Sequence, residues 1–83
     1  TAYLAFKEKS RQRSRHKKLL QATREKISGH ERELENLERA IEHEISPEDW
    51  ERLNTATVRK KELEEELLGL YARLEKLEEV DLD

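Results

Sequence analysis

Apolar residues recur at helical spacing along nearly the whole chain. One row repeats every seven residues and a second row follows it three positions later, which is the pattern of a coiled-coil seam. In the first half the rows are Phe6, Arg13, Leu20, Ile27, Leu34, Ile41 and Lys9, His16, Thr23, His30, Leu37. In the second half they are Leu53, Lys60, Leu67, Leu74 and Ala56, Leu63, Leu70, Leu77. The seam is mostly apolar from Leu20 onward and polar before it, so we expect packing over only part of the first helix.

The segment between the two halves predicts the end of one helix and the start of another. Ser46 is suited to cap the second helix, and Pro47 to occupy its first helical position, where the missing N–H costs nothing. Ile45 and Trp50 stand at the two positions of a hydrophobic staple. We therefore predict helix 1 over about residues 5–44 and helix 2 over about residues 47–80.

Two long helices joined by a tight turn near Ser46-Pro47 predict an all-α fold, an antiparallel coiled-coil hairpin. The register that aligns apolar residues pairs Ile41 with Leu53, Ile27 with Leu67 and Leu20 with Leu74. Leu34 then faces Lys60, whose methylene stem can cover it while the ammonium group reaches water. Helix 2 ends opposite about residue 14, so the start of helix 1 extends beyond its partner.

Ser28-Gly29 offers an alternative, a break in helix 1 that gives three helices. Glycine costs only about 1 kcal/mol in a helix interior. Three segments of very unequal length would also pack poorly. The two-helix hairpin over residues 1–83, one small domain and a fragment of a larger protein, is therefore favoured.

Composition narrows the function classes. Charged residues are 45% of the chain and hydrophobic residues 34%, and there is no cysteine. No sequence pattern suggests a catalytic constellation, so we expect a non-enzyme without cofactor or bound metal. His30 and Glu33, one turn apart, could lend two ligands to zinc, but no third ligand follows at a useful spacing. The apolar stretches are too short for a membrane span, so we expect no membrane association.

The charge is unevenly distributed. Residues 1–26 hold nine Lys/Arg and two Glu, a sum of +7, whereas residues 27–83 hold eight Lys/Arg and eighteen Asp/Glu, a sum of −10. Lysine, arginine and neutral hydroxyl or amide side chains are the groups that contact nucleic-acid phosphates. We therefore predict a nucleic-acid interface. Its residues are Lys7, Lys9, Arg11, Arg13, Arg15, Lys17 and Lys18. The alternative is a solubilising helix end that pairs with acidic groups.

A second basic cluster, Arg59-Lys60-Lys61, has a different interpretation. The predicted register places it beside Glu33 and Glu35, so ion pairs across the hairpin are expected, together with i,i+4 pairs such as Lys61 with Glu65. Tyr71 and Trp50 flank the seam, and we expect packing roles for them rather than base stacking.

Two stretches of the chain resemble the ABC-F ATPases, the ATP-binding-cassette proteins that act on ribosomes. Tyr3-Leu4-x-x-Lys7 is similar to the end of the run that opens a long helix after each cassette. The segment over residues 62–79 looks like the closing helix of the family's C-terminal coiled-coil domain, with Leu70-Tyr71-x-Arg73 in common but Leu74 where tryptophan is usual. The segment over residues 46–50 falls where that domain turns.

The family also has a helical arm between its two cassettes, and the exit of that arm resembles residues 73–80. The choice between the two hairpins stays open, with the Leu70-Tyr71-x-Arg73 match favouring the C-terminal, Uup-like domain. Either resemblance implies a cytoplasmic, non-catalytic hairpin. It would contact RNA or DNA without sequence preference and dock on the cassettes of the parent chain. The alternative function is a protein-interaction or dimerisation coiled coil, and we expect a marginal monomer or a weak homodimer.

Overall fold

The computed structural model describes residues 1–80 and has the architecture of an antiparallel helical hairpin. Helix α1 spans Ala2–Arg39, a π-helical turn follows over Ala40–Glu44, and helix α2 spans Trp50–Glu79. The molecule measures 70 × 15 × 15 Å, which is a rod two helices thick. The predicted all-α hairpin is confirmed.

The structure decides the question raised by Gly29, because α1 is continuous through this residue. The three-helix alternative is therefore wrong. Ile27, just before the glycine, is buried, and His30, just after it, is half-buried. Packing on both sides of Gly29 thus offsets the weak helix propensity of the glycine itself.

The hairpin turn differs from the prediction at its second helix. Asp49, not Ser46, is the N-cap of α2: its Oδ1 accepts a hydrogen bond of 3.2 Å from the backbone N–H of Arg52. Ser46 instead closes the turn, because its carbonyl accepts from the N–H of Asp49 at 2.9 Å and its Oγ accepts from the N–H of Glu48 at 3.4 Å. The predicted start of helix 2 at Pro47 is therefore three residues too early.

The shift of the cap removes the predicted staple between Ile45 and Trp50. With Asp49 as the cap, the two staple positions are Glu48 and Leu53, so Trp50 is no longer one of them. Trp50 is 78% exposed. Helix α1 also ends differently from the prediction, since its last turn widens into a π-turn in which the N–H of Ile45 donates to the carbonyl of Ala40 at 2.8 Å.

The core is a single narrow seam between the two helices. Its fully buried side chain is Leu63, at 0% exposure. The other buried residues are Thr23, Ile27, Ala56 and Leu67. The hydroxyl of Thr23 donates to the carbonyl of Leu19 at 2.7 Å, so the polar group in the seam is satisfied. Ile27 and Leu67, which the predicted register pairs, are both buried.

The seam ends before α1 begins. Every residue from 1 to 15 is exposed, and the first half-buried residue is His16. The Nε2 of His16 lies 2.6 Å from the carbonyl oxygen of Leu77, two residues before the end of α2. The first four turns of α1 therefore extend beyond the partner helix, as the register predicted.

Candidate nucleic-acid interface

Five of the seven predicted basic residues lie on the part of α1 beyond the end of α2, and Lys17 and Lys18 follow His16, where contact with α2 begins. All seven side chains of the set are exposed. Residues 7–18 contain these seven cations and one acid, Glu8, for a sum of +6. The structure thus brings the whole predicted set together on one exposed helix end.

Four of the seven cations share one face of α1. Residues spaced by three or four positions are neighbours on a helix surface, so Lys7, Arg11, Arg15 and Lys18 form one stripe, the basic stripe. Ser14 lies beside it at helical spacing. The basic stripe is on the side of α1 away from the seam, whereas Lys9 and Arg13 occupy seam rows. This ordering is finer than the sequence interpretation, which treated the seven cations as equivalent.

Local electrostatics reinforce the positive charge of this end. The acid within the segment, Glu8, has its Oε2 4.0 Å from Nη1 of Arg11, and both side chains are more than half exposed. Such a pair contributes little and neutralises little. The N-terminus of α1, capped by Thr1 with a hydrogen bond of 3.4 Å from the N–H of Leu4, adds the positive pole of the helix dipole.

The second basic cluster is engaged inside the hairpin. Arg59 Nε lies 2.7 Å from Glu33 Oε2 on α1, and Arg59 Nη1 lies 3.3 Å from Glu62 Oε2. The hydrogen bond and the charge of Arg59 lower the pKa of Glu33, and the same carboxylates raise the pKa of Arg59. Ion pairing across the hairpin is therefore confirmed for Arg59.

The other two members of this cluster differ from each other. Lys60 is half-buried, and its Nζ lies 3.9 Å from Glu38 and 4.0 Å from Glu64, as expected for a stem that covers the seam with its ammonium group outside. Within residues 1–80, Lys61 makes no ion pair, so the predicted pair with Glu65 is wrong. Lys61 is exposed and lies on the outer surface of the hairpin.

His16, His30 and Tyr71 connect the two helices. His30 Nε2 lies 2.7 Å from Glu66 Oε2 on α2, while Glu33 is turned to Arg59. The two candidate zinc ligands are thus separately engaged, and the described part of the chain contains no group of three residues suited to a metal ion. The hydroxyl of Tyr71 donates to Glu31 at 3.1 Å, and partial burial with this bond raises the pKa of Tyr71.

Sequence reasoning missed a surface at the other end of the rod. We define the tip as residues 40–53, the π-turn, the hairpin turn and the first turn of α2. The exposed Trp50 and the half-buried Ile41, Ile45 and Leu53 lie there. A signal existed in the sequence, since Asp49 is as good a cap as Ser46 and would move Trp50 out of the staple position.

Neither α1 nor α2 combines the length and the apolar character that a membrane crossing needs. Comparisons with protein-family models, with curated proteins and with solved structures found no match to this chain.

Proposed function

We propose that this chain is a non-catalytic hairpin that contacts the phosphates of RNA or DNA through the basic end of α1. Following the sequence resemblance, its parent is a cytoplasmic ABC-F-type ATPase whose cassettes the hairpin docks on. The observation that carries the proposal is the basic stripe. Lys7, Arg11, Arg15 and Lys18 are exposed together on the outer face of α1, and all but Lys18 lie beyond the end of the partner helix.

Counterion release supplies the binding free energy. Each phosphate that is neutralised releases condensed cations, so the logarithm of the affinity falls with the logarithm of the salt concentration, by about 0.9 per contact on duplex DNA and about 0.7 on single strands. Four cations in one stripe favour about four contacts. Such binding is micromolar or weaker at physiological salt. It is also insensitive to base sequence, because phosphate contacts carry no sequence information.

The tip is unsuited to the same role. Residues 42–52 contain five carboxylates and one arginine, so this end carries a net negative charge that repels phosphates. The two ends of the rod therefore differ in charge, and only the open end, where residues 1–15 extend beyond α2, attracts the phosphates of nucleic acid. We assign nucleic acid to the open end alone.

A triple substitution in the basic stripe tests the proposal. The variant Arg11→Gln, Arg15→Gln, Lys18→Gln removes three of its four cations. We expect weaker binding to a labelled duplex and to a single strand, with a salt slope on the duplex reduced by about 0.9 for each phosphate that the variant no longer neutralises. Fluorescence anisotropy over about 50 to 300 mM salt measures both quantities.

The matched control changes the same net charge elsewhere. Arg24→Gln, Arg32→Gln and Lys61→Gln remove three exposed cations outside residues 7–18. The control should keep the parent's salt slope. Equal affinity and slope in the parent and the stripe variant would refute the proposal, and equal losses in both variants would reduce it to an effect of net charge.

The second candidate function is protein interaction, and one observation favours it. Trp50 is 78% exposed at the tip, and tryptophan is among the residues most enriched in the energetic centres of protein interfaces. This surface is far from the basic stripe, so the two functions do not exclude each other.

A further inference from the structure

The tip has an apolar surface that its own chain leaves uncovered. The hairpin turn forms an open hollow of about 410 Å³. Its apolar lining is Ile41, Ile45, Pro47 and Leu53, and its polar lining includes Glu42 and Glu44. Trp50 is exposed in the same tip, three residues after Pro47 and three before Leu53. A partly apolar hollow and an exposed tryptophan in one short segment form a surface that partner side chains can cover.

The carboxylates around the hollow determine the charge of that partner. Within residues 1–80, Glu44, Glu48 and Glu51 make no ion pair, so they are available to a cation from another molecule. Asp49 is held by its capping bond to Arg52 and by a distance of 4.0 Å to the guanidinium of the same residue. The tip thus fits a segment that carries an apolar or aromatic side chain followed by lysine or arginine.

The opposite end of the same molecule has that composition. Tyr3, Leu4 and Phe6 are 68%, 61% and 70% exposed and lie immediately before the basic residues. The two ends cannot meet within one molecule, because roughly 40 Å of continuous helix separates Arg13 from Ala40. A second copy is the molecule that can present this end to the tip.

We propose that the tip of one molecule binds the aromatic and basic end of α1 of a second copy. Phe6 or Tyr3 enters the hollow of the tip, a neighbouring aromatic or apolar side chain covers Trp50, and the adjoining cations face Glu44, Glu48 and Glu51. The contact joins two different surfaces, so each pair keeps one free tip and one free basic end, and short head-to-tail chains grow with concentration. The contact area is small, so association is weak and concentrated protein at low salt is needed to observe it.

Nucleic acid and a second copy would use the same cations. A short duplex should therefore shorten the head-to-tail assemblies of molecules, a consequence that rests on the proposed function. The association itself does not, because it is measured without nucleic acid. The two proposals can consequently fail separately: a chain that binds phosphates but never self-associates overturns only this one.

Sedimentation velocity over a concentration series tests the association. For the parent we expect a mass above the monomer that rises with concentration and falls at about 0.5 M salt, where charge screening is strong. Trp50 is the only tryptophan of the chain, so its emission reports the tip directly. The tryptophan emission should shift to shorter wavelength as the head-to-tail assemblies form. A monomer at every concentration, with an unshifted emission, overturns the proposal and leaves the tip to a different partner.

Two variants and one control identify the surfaces. Trp50→Ser alters the tip, and the double variant Tyr3→Ser, Phe6→Ser alters the basic end; these side chains are all exposed, so circular dichroism should remain unchanged. Each variant should lower the association constant at least about tenfold. Leu68→Ser, at an exposed apolar residue outside both ends, should associate like the parent.

Mixing the two variants separates this arrangement from a symmetric one. The mixture has one intact tip on the double variant and one intact basic end on Trp50→Ser, so it should form a pair and grow no further. If two tips paired with each other, only Trp50→Ser would lose the association. If two basic ends paired with each other, only the double variant would lose it. Either result, or a mixture that remains monomeric while the parent associates, overturns the head-to-tail arrangement.

Discussion

Helix α1 consists of two regions that share one backbone and differ in almost everything else. From His16 to Arg39 it packs on α2 and contributes Thr23 and Ile27 to the buried seam. From Ala2 to Arg15 it lies beyond the end of the seam, and every side chain is exposed. The first region is folded by packing, and the second only by continuing a helix that already exists.

The difference between these two regions explains why the cations are concentrated near the start of α1. A free helix of this length is marginal in water, but one that extends from a packed helix is spared the cost of nucleation. Its side chains need not fit a packed seam, so cations can occupy every face. In the paired part of the hairpin, in contrast, the half-buried Arg59 of α2 lies between the carboxylates of Glu33 and Glu62. The paired length of α1 thus contributes the buried residues, and most of the cations of the basic stripe lie on the unpaired length.

The largest expected effect comes from the centre of the seam. Leu63→Ala should lower the free energy of unfolding by about 2–5 kcal/mol, because the removed side chain is fully buried and leaves a cavity. Phe6→Ala, in the unpaired part of α1 over residues 2–15 (the open region), should change the free energy of unfolding by less than about 0.5 kcal/mol. Urea unfolding followed by circular dichroism measures both, with the exposed Leu68→Ala as the control. Equal losses at Leu63 and Phe6 would show that the open region also packs.

The caps of the two helices give the next contrast. Asp49→Ala should cost about 0.5–2 kcal/mol, because it leaves the first N–H groups of α2 without their side-chain acceptor. Thr1→Ala removes the cap of α1 but should only fray the first turn, leaving the unfolding midpoint unchanged. Thermal melts compare the two. Ser46→Ala should cost less than Asp49→Ala, and the reverse order would restore Ser46 as the cap.

A stabilising substitution sharpens the comparison further. Gly29→Ala should raise the free energy of unfolding by about 0.5–1 kcal/mol, because a Cβ at this position meets no atom within 4 Å and the backbone is helical. Ser10→Ala, a similar gain in helix propensity, should raise the helical signal of the open region without moving the midpoint. A midpoint that rises equally in both variants would mean that α1 melts as one unit.

The smallest effect concerns an exposed ion pair and its pH dependence. The hydrogen bond from Arg59 lowers the pKa of Glu33, so the pair stabilises the fold above the unfolded-state pKa and this contribution is lost as pH falls through the folded-state pKa. The melting temperatures of the parent and Glu33→Gln should differ at pH 7 and converge in acid. Glu8→Gln, in the open region, should match the parent at both. A difference that persists in acid would assign the effect to packing.

Most of the paired region is predictable from the sequence. The apolar rows predict the hairpin, the burial of Ile27 and Leu67, and the half-buried position of Lys60. The exposure of the basic residues also follows, because the register shows where α2 ends. These predictions succeed because repeated apolar spacing determines a coiled-coil register through many weak contacts at once.

The tip is not predictable in the same way, because single contacts determine the helix cap and the shape of the turn there. Ser46 and Asp49 are both good cap residues, and the choice between them depends on the hydrogen bonds that close the turn around Pro47. The widened turn over Ala40–Glu44 ends with a hydrogen bond from the N–H of Ile45 to the carbonyl of Ala40 and has no clear sequence signature. The sequence consequently assigns Trp50 to packing, whereas it is the most exposed large hydrophobic side chain that the structure describes.

The antiparallel arrangement makes the mechanical response depend on the direction of the force. Because α1 passes the end of α2 near His16 and Leu77, a force that pulls these residues apart loads one level of the seam at a time and opens it from that end toward the turn. A force along the rod, applied between the tip and the start of α1, passes through the continuous helical backbone of α1 and leaves the seam unloaded, because the turn joins the two helices covalently. The buried side chains therefore resist separation of the helices one level at a time, whereas the backbone hydrogen bonds of α1 resist stretching.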